Sequence, residues 1–257
     1  GSNSRTVVEK GDGVYVTDSE GKRLLDGPGG MWCVNIGHGR EEMAQAIYDQ
    51  VMQLPYASPW STTNGPAATF SAELAAEAPG DLNHAFFTTG GSTAVDSALR
   101  FVQFYNNVRG KPEKKHIIAQ MKGYHGSTFL SATVSGKERD KNYLDFAEGL
   151  VSHVPAPHPL MKEPSQSVAD FLDQCVNNVE SRILEIGPDK CAVFVAEPIL
   201  ASCGVIVPPE GYHKRCLEIC RQYDMLYLSD EVVTAFGRLG HCFASEAVFG
   251  IVPDIIT

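Results

Sequence analysis

Residues 191–196 read CAVFVA, an apolar run that ends directly at Glu197-Pro198. A second run, MLYLS at 225–229, ends at Asp230. Runs of this length without polar alternation predict strands that are buried on both faces of a parallel sheet. Residues 210–223, which lie between them, carry apolar side chains at helical spacing. The stretch therefore predicts a strand–helix–strand unit of an α/β fold.

The same alternation of helices and short apolar strands extends upstream. We predict helices over 66–78, 92–106 and 168–183, and strands over 84–89 and 116–121. Strands joined by helical crossovers form a mostly parallel sheet that is flanked by helices on both faces. Such sheets bind their ligands at the carboxyl ends of the strands.

The first 55 residues follow a different pattern. Short runs at 14–17 and 23–25 predict a β-hairpin, and apolar residues at helical spacing predict a helix over 43–54 that Pro55 stops. We therefore predict that residues 1–55 are the N-terminal part of a small domain and that residues 56–257 form a large α/β domain.

Composition excludes several classes of protein. The 31 acidic and 21 basic residues give a net charge of -10, which repels nucleic acid and anionic lipid surfaces. We find no apolar run of about twenty residues, the length that a membrane helix needs. The 7 cysteines show neither a CxxC pair nor zinc-like spacing, so we expect reduced thiols in a cytoplasmic protein and no metal site.

A glycine turn lies between the predicted strand 84–89 and the predicted helix 92–106. Its residues Gly90, Gly91 and Ser92 allow a tight turn into the start of the helix, where free N–H groups and a serine hydroxyl can hold a phosphate. The pattern is not a nucleotide-binding fingerprint. Taken alone, it also fits a glycine turn with a serine helix cap.

A glycine-flanked pair, Tyr124-His125, follows the predicted strand 116–121. An aromatic side chain at a strand end offers a flat face on which a ring can stack, although an ordinary surface loop also fits this motif. Glu197 and Asp230 end two other strands, and buried carboxylates there need a positive or hydrogen-bonding partner. Helix caps or structural ion pairs would serve as well. Together, the motifs describe a site for a flat, phosphorylated, cationic ring such as pyridoxal 5'-phosphate.

At this point the chain resembles the class III aminotransferases, the family of the ω-amino acid and amine transaminases. The resemblance implies fold type I and a large domain that binds the cofactor. The similar stretches are Gly11–Tyr15, Trp32–Gly39, Ala78–Asn83, Thr88–Thr93, Gly123–Gly126, Asp230–Val232 and Phe236–Arg238.

The resemblance assigns a role to each residue of the cofactor site. It implies that Gly91 and Ser92, beside Gly90, hold the phosphate. It also implies that Tyr124 stacks on one face of the pyridine ring and that Val232 packs on the other. Gly90 departs from the common pattern, where serine is frequent at this position.

The resemblance also implies that Asp230 pairs with the ring nitrogen, and that Glu197 and His125 belong to the same cofactor-binding region. Asp230 is the expected catalytic residue, because an adjacent carboxylate keeps that nitrogen protonated and the protonated ring stabilises a carbanion. Trp32 and Trp60 are expected to line the substrate pocket, although ordinary core packing is equally compatible with Trp32.

Two further positions differ from family members. Thr93 stands where glutamate is common, and Val233 stands where some relatives carry a glutamine that contacts the ring hydroxyl. In the family, a run like 253–257 is followed within a few residues by the lysine that forms the Schiff base, which is missing here. The large domain would then be incomplete at its C-terminal end. Either the sequence is a fragment or it stops beside a chemically modified lysine.

The resemblance implies an aminotransferase that moves an amino group from an amine or ω-amino acid to a keto acid such as pyruvate. It also implies a homodimer, with residues 56–64 as a candidate contact. Two alternatives stay open: an aminomutase of the same family, and a non-catalytic fragment that binds a phosphorylated ligand. The 257 residues by themselves are not expected to be competent in catalysis.

Overall fold

A computed structural model of the chain describes residues 5–257. The chain divides into two compact units, Gly1–Glu73 and Leu74–Thr257. The first four residues of the predicted small domain lie outside the described part. Among residues 5–257, no helix combines the length and the apolar character that crossing a membrane requires.

The first unit contains a three-stranded antiparallel sheet in the order β1-β2-β3. The predicted hairpin is confirmed as β2 and β3, but β1 was not predicted because its sequence, VEKGD, lacks apolar alternation. The predicted helix before Pro55 is confirmed as α2. The elements are β1 (Val8–Asp12), β2 (Tyr15–Asp18), β3 (Arg23–Leu25), α1 (Gly29–Trp32), α2 (Glu41–Gln53) and α3 (Gly65–Glu77), which continues past the unit boundary.

The second unit is built on a five-stranded sheet in which every pair of neighbouring strands is parallel. The strand order is β5-β4-β6-β7-β8. The strands are β4 (His116–Gln120), β5 (Val151–Val154), β6 (Cys191–Ala196), β7 (Leu226–Ser229) and β8 (Ile255–Ile256). The parallel α/β fold predicted from the sequence is confirmed.

Helices cover both faces of this sheet. Alternate residues of β6 point to opposite faces, so Val193 and Val195 pack in the cluster that contains the buried side of α4, whereas Phe194 and Ala196 pack with α6 and α7. This arrangement explains why all of β6 is apolar. The helices are α4 (Gly91–Val108), α5 (Phe129–Val134), α6 (Val168–Ile186), α7 (Tyr212–Gln222) and α8 (Ala244–Ala247), with short 3-10 turns at Glu138–Asp140 and Pro159–Met161.

The predicted strand 84–89 is wrong. This segment is irregular and forms no ladder with any strand in the described residues. Phe86, whose apolar character suggested a buried strand, is 80% exposed. An apolar run supplies side chains for a core but not a partner for its backbone hydrogen bonds, and a strand needs both.

Candidate active site

The strand order reverses direction between β4 and β6. The chain leaves β4 toward β5 on one side and leaves β6 toward β7 on the other. Loops that depart in opposite directions from the carboxyl ends of neighbouring parallel strands form the crevice in which α/β proteins bind ligands. The loop 121–128 follows β4, Glu197 follows β6, and Asp230 follows β7. The three motifs predicted from the sequence therefore lie at one edge of the sheet.

The start of α4 is tied to the loop after β4. Ser92 Oγ accepts a hydrogen bond from the Ser127 N–H at 3.0 Å, so the Ser92 O–H can still donate to an anion. Gly90, the residue before the helix, has an extended backbone and no side chain to cap it. The first N–H groups of a helix have no acceptor within the helix. This helix start is therefore able to hold a phosphate.

Tyr124 and Val232 present the apolar surfaces of the site. The Tyr124 side chain is 40% exposed and that of Val232 is 54% exposed, so both are accessible to a ring. Gly91 packs closely on Val232, because a Cβ added at Gly91 would lie 2.9 Å from Val232 Cγ2. A larger residue at position 91 would force the helix start away from this valine. The glycine therefore serves packing as well as the turn.

Asp230 and His125 form a buried pair. His125 Nδ1 lies 2.7 Å from Asp230 Oδ2, and since a carboxylate only accepts, Nδ1 carries the proton. Burial disfavours the charged imidazole, but the hydrogen bond and charge of Asp230 outweigh it, so the pKa of His125 is raised. The other carboxylate oxygen, Oδ1, accepts the Val232 N–H at 3.2 Å. That oxygen has a further lone pair with which to accept a hydrogen bond from a ligand.

Glu197 holds the backbone of the aromatic loop. Its Oε1 accepts the Tyr124 N–H at 2.8 Å, and its Oε2 accepts the Ala201 N–H at 3.1 Å. Burial, and to a lesser extent the charge of Asp230, raise the pKa of Glu197, whereas His125 and the two N–H groups lower it; the net result is a pKa of about 7. Glu197 thus fixes the Tyr124 backbone, from which the aromatic side chain extends.

Glu231, next to Asp230, has a structural role. Its carboxylate accepts the Ala244 N–H at 2.6 Å and the Ser245 N–H at 2.9 Å, at the start of α8. Ser245 Oγ donates to it as well, at 2.5 Å. Glu231 therefore caps the start of this helix. Asp230 is the carboxylate of this motif that contacts His125 and Val232.

These residues fit a flat, phosphorylated, cationic ring. The α4 start supplies N–H and hydroxyl donors for an anion, Tyr124 and Val232 supply apolar faces, and Asp230 supplies a negative charge with an unused lone pair. His125 Nε2 is buried without a hydrogen-bond partner in residues 5–257. Within these residues the imidazole is therefore hydrogen-bonded through Nδ1 alone, to Asp230. Pyridoxal phosphate has each of the matching chemical features.

Sequence reasoning missed two hydroxyl groups that support the site. Ser135 Oγ accepts the His125 N–H at 2.8 Å, and Thr128 Oγ1 donates to the Ser92 carbonyl at 3.3 Å. The run of serines and threonines after Gly126 was the available signal. Trp32 and Trp60 lie in the first unit, where Trp60 is 95% exposed, and their place in a substrate pocket stays a prediction.

Comparisons with known proteins show the family of the chain. The family model of the class-III aminotransferases matches residues 1–257. The putrescine–pyruvate aminotransferase of Pseudomonas aeruginosa is 38% identical over 251 residues, which are 97% of this chain and 55% of that protein. The mitochondrial gamma-aminobutyrate transaminase 1 of Oryza sativa subsp. indica is 39% identical over 254 residues, 98% of this chain and 49% of that protein.

A solved structure shows the same fold. The omega transaminase from Pseudomonas jessenii in complex with PMP superimposes with a TM-score of 0.95 at 34% sequence identity, covering 98% of this chain and 56% of that chain. The chain thus spans about half the length of the curated relatives that it matches.

Proposed function

The chain belongs to the class-III aminotransferases, and from this premise we propose that the full-length gene product moves an amino group from an amine or ω-amino acid to a keto acid such as pyruvate. The names of two relatives, a putrescine–pyruvate aminotransferase and a gamma-aminobutyrate transaminase, support this choice of donor class. Family members depend on pyridoxal phosphate.

The observation that carries the proposal is the buried Asp230–His125 pair beside the aromatic loop, with 2.7 Å between its two polar atoms. Bound pyridoxal phosphate supplies an electron sink for the charge that is left when a substrate loses its proton. Asp230 would hold the proton on the ring nitrogen, because an adjacent carboxylate favours that cation. His125 keeps Asp230 in place by donating a hydrogen bond to its Oδ2.

The other residues bind and orient. Gly91 and Ser92 at the start of α4 would hold the phosphate, with Gly90 providing the turn. Tyr124 and Val232 would enclose the ring between them. Glu197 would hold the Tyr124 backbone in position by accepting its N–H. Trp32 and Trp60 are proposed to line the substrate pocket, which suits an uncharged amine or a short ω-amino acid.

A coupled assay tests the function. We expect the full-length protein with pyridoxal phosphate to convert pyruvate to alanine in the presence of putrescine or another terminal amine, with loss of the amine. An aminomutase would rearrange its substrate without using pyruvate, and a binding module would bind the cofactor without turnover. Neither alternative is favoured by the relatives, whose names describe aminotransferases.

We also propose a homodimer in a reducing compartment such as the cytoplasm. The α4 helix carries Phe101, Phe104 and Val108 on one face, and each of these side chains is more than half exposed. An apolar stripe of this kind favours a partner surface. The 7 free thiols, several of them in the core, support a reducing environment.

For the domain organisation we propose a small-domain segment over 1–55 and a large cofactor-binding domain over 56–257. The loop 56–64 is the candidate dimer contact, since its Tyr56 and Trp60 side chains are exposed.

A further inference from the structure

The segment after α5 runs against the loop that carries Tyr124. The Lys122 N–H donates to the Gly136 carbonyl at 2.8 Å, and the Gly136 N–H donates to the Gly123 carbonyl at 2.9 Å. Gly136 lies so close to β4 that a Cβ there would collide with the Gln120 carbonyl oxygen. The backbone on either side of this contact is therefore fixed relative to the aromatic loop.

The next residue, Lys137, places its ammonium group over the Tyr124 ring. Its Nζ lies 5.5 Å from the ring centroid, within the range of a cation–π interaction. The same Nζ is paired with Asp140 Oδ2 at 3.0 Å, and the Lys137 side chain is only 13% exposed. The ammonium is thus tethered and partly desolvated, unlike the mobile head of an ordinary surface lysine.

Tyr124 is therefore held at two points, its backbone and its ring. Glu197 Oε1 accepts its backbone N–H at 2.8 Å, and the Lys137 ammonium lies over its ring. A ring that is already oriented loses less conformational freedom when a second ring stacks on it. A cation over one face also leaves the opposite face for the ligand.

We propose that Lys137 is a positioning residue that orients the Tyr124 ring for stacking on pyridoxal phosphate. This inference rests on the proposed function, because it assumes that Tyr124 stacks on that cofactor. It assigns Lys137 no contact with the reacting atoms. The effect of Lys137 should appear in the affinity for the cofactor and in the induced circular dichroism of the bound cofactor.

Lys141 provides a matched control on the same segment. Its Nζ lies 5.0 Å from the Phe146 ring and donates to the Thr133 carbonyl at 3.0 Å. Replacing it removes the same charge and the same kind of ring contact without touching Tyr124. A long-range effect of charge on an anionic cofactor would therefore appear in both variants, whereas a positioning effect would appear in one.

The test titrates pyridoxal phosphate into full-length apoprotein and records the Kd and the induced circular dichroism of the bound cofactor. We expect Lys137→Met to weaken binding about fivefold and reduce the dichroism, and Lys137→Arg and Lys141→Met to stay within about twofold of wild type. In a Tyr124→Leu background, Lys137→Met should cause no further change.

The inference is overturned if Lys137→Met binds like wild type, if Lys137→Arg loses as much as Lys137→Met, or if the loss persists in full in the Tyr124→Leu background. Wild-type apoprotein that binds no pyridoxal phosphate would instead refute the proposed function. The two failures are therefore distinguishable.

Discussion

Glu197 is the buried carboxyl group whose protonation responds to pH near neutrality. Its pKa is raised from 4.5 to about 7, so the folded protein holds this proton more tightly than the unfolded chain does. The folded state then binds more protons between these values, and stability falls as pH rises through that window. The loss amounts to about 3 kcal/mol for a shift of this size.

We therefore predict that Glu197→Gln flattens this pH dependence, because glutamine does not titrate. The thermal midpoint of the full-length protein, measured between about pH 4.5 and 7, should fall less steeply in the variant than in wild type. The pKa of His125 is raised from 6.5, so its contribution is lost only as pH rises above about 6.5. Equal slopes would show that Glu197 is ionised throughout.

Sequence reasoning reached the site residue by residue but not its bonds. Glu197, Asp230 and Tyr124 could be placed at strand ends because apolar runs stop at or just before them. The pairing of His125 with Asp230 joins residues 105 positions apart, and no local pattern encodes it. The sequence also offered no way to tell that Glu231 caps a helix while its neighbour Asp230 faces the crevice.

At the scale of elements, Lys114 joins one end of the sheet to two helices. Its buried Nζ donates to the Pro188 carbonyl at 2.8 Å, just after α6, and to the Tyr223 carbonyl at 3.0 Å, at the end of α7. Both carbonyls lie near helix C-termini, where acceptors lack partners within the helix. The side chain thus fastens α6 and α7 beside the start of β4.

Lys114→Met should destabilise the protein by about 2 to 4 kcal/mol, because it removes two hydrogen bonds that a buried charged donor makes. The Pro188 carbonyl keeps the Cys191 N–H as a donor, at 3.3 Å. Denaturant unfolding of the full-length protein measures this loss. Lys111→Met is the matched control, since its exposed pair with Asp224 is worth about 1 kcal/mol or less. A Lys114→Met variant as stable as Lys111→Met would contradict the role that we assign to this side chain.

Elements with a clear apolar pattern were predictable, and several short elements without one were not. Strand β6 and helix α6 carry enough periodic or continuous apolar residues to be recognised, and both were predicted. Strands β5 and β8 have only 4 and 2 residues, and their place depends on the ladder of a neighbouring strand. The failed strand 84–89 makes the same point, since its side chains suggested a strand that its backbone does not form.

The exposed apolar side chains of α4, Phe101, Phe104 and Val108, predict a dimer of the whole molecule. Negative charges introduced at this surface should dissociate the dimer. We expect the full-length protein to sediment as a dimer, and the double variant Phe101→Asp, Phe104→Asp to sediment as a monomer, because buried unpaired carboxylates are costly. Leu184→Asp, a change at an exposed apolar residue of α6, is the control. A double variant that stays dimeric would place the interface elsewhere.

In the function that we propose, the Asp230 carboxylate holds the proton of the cofactor ring. The most direct test is the single-turnover conversion of bound pyridoxal phosphate to its amine form by a good amine donor, followed by absorbance in full-length wild type and Asp230→Asn. Asparagine preserves the shape of the site but removes the charge, and a hydrogen bond to a charged group is worth about 1.5 to 3 kcal/mol. We predict at least about a tenfold slower conversion, with a smaller loss of cofactor affinity. Conversion at the wild-type rate would contradict the account.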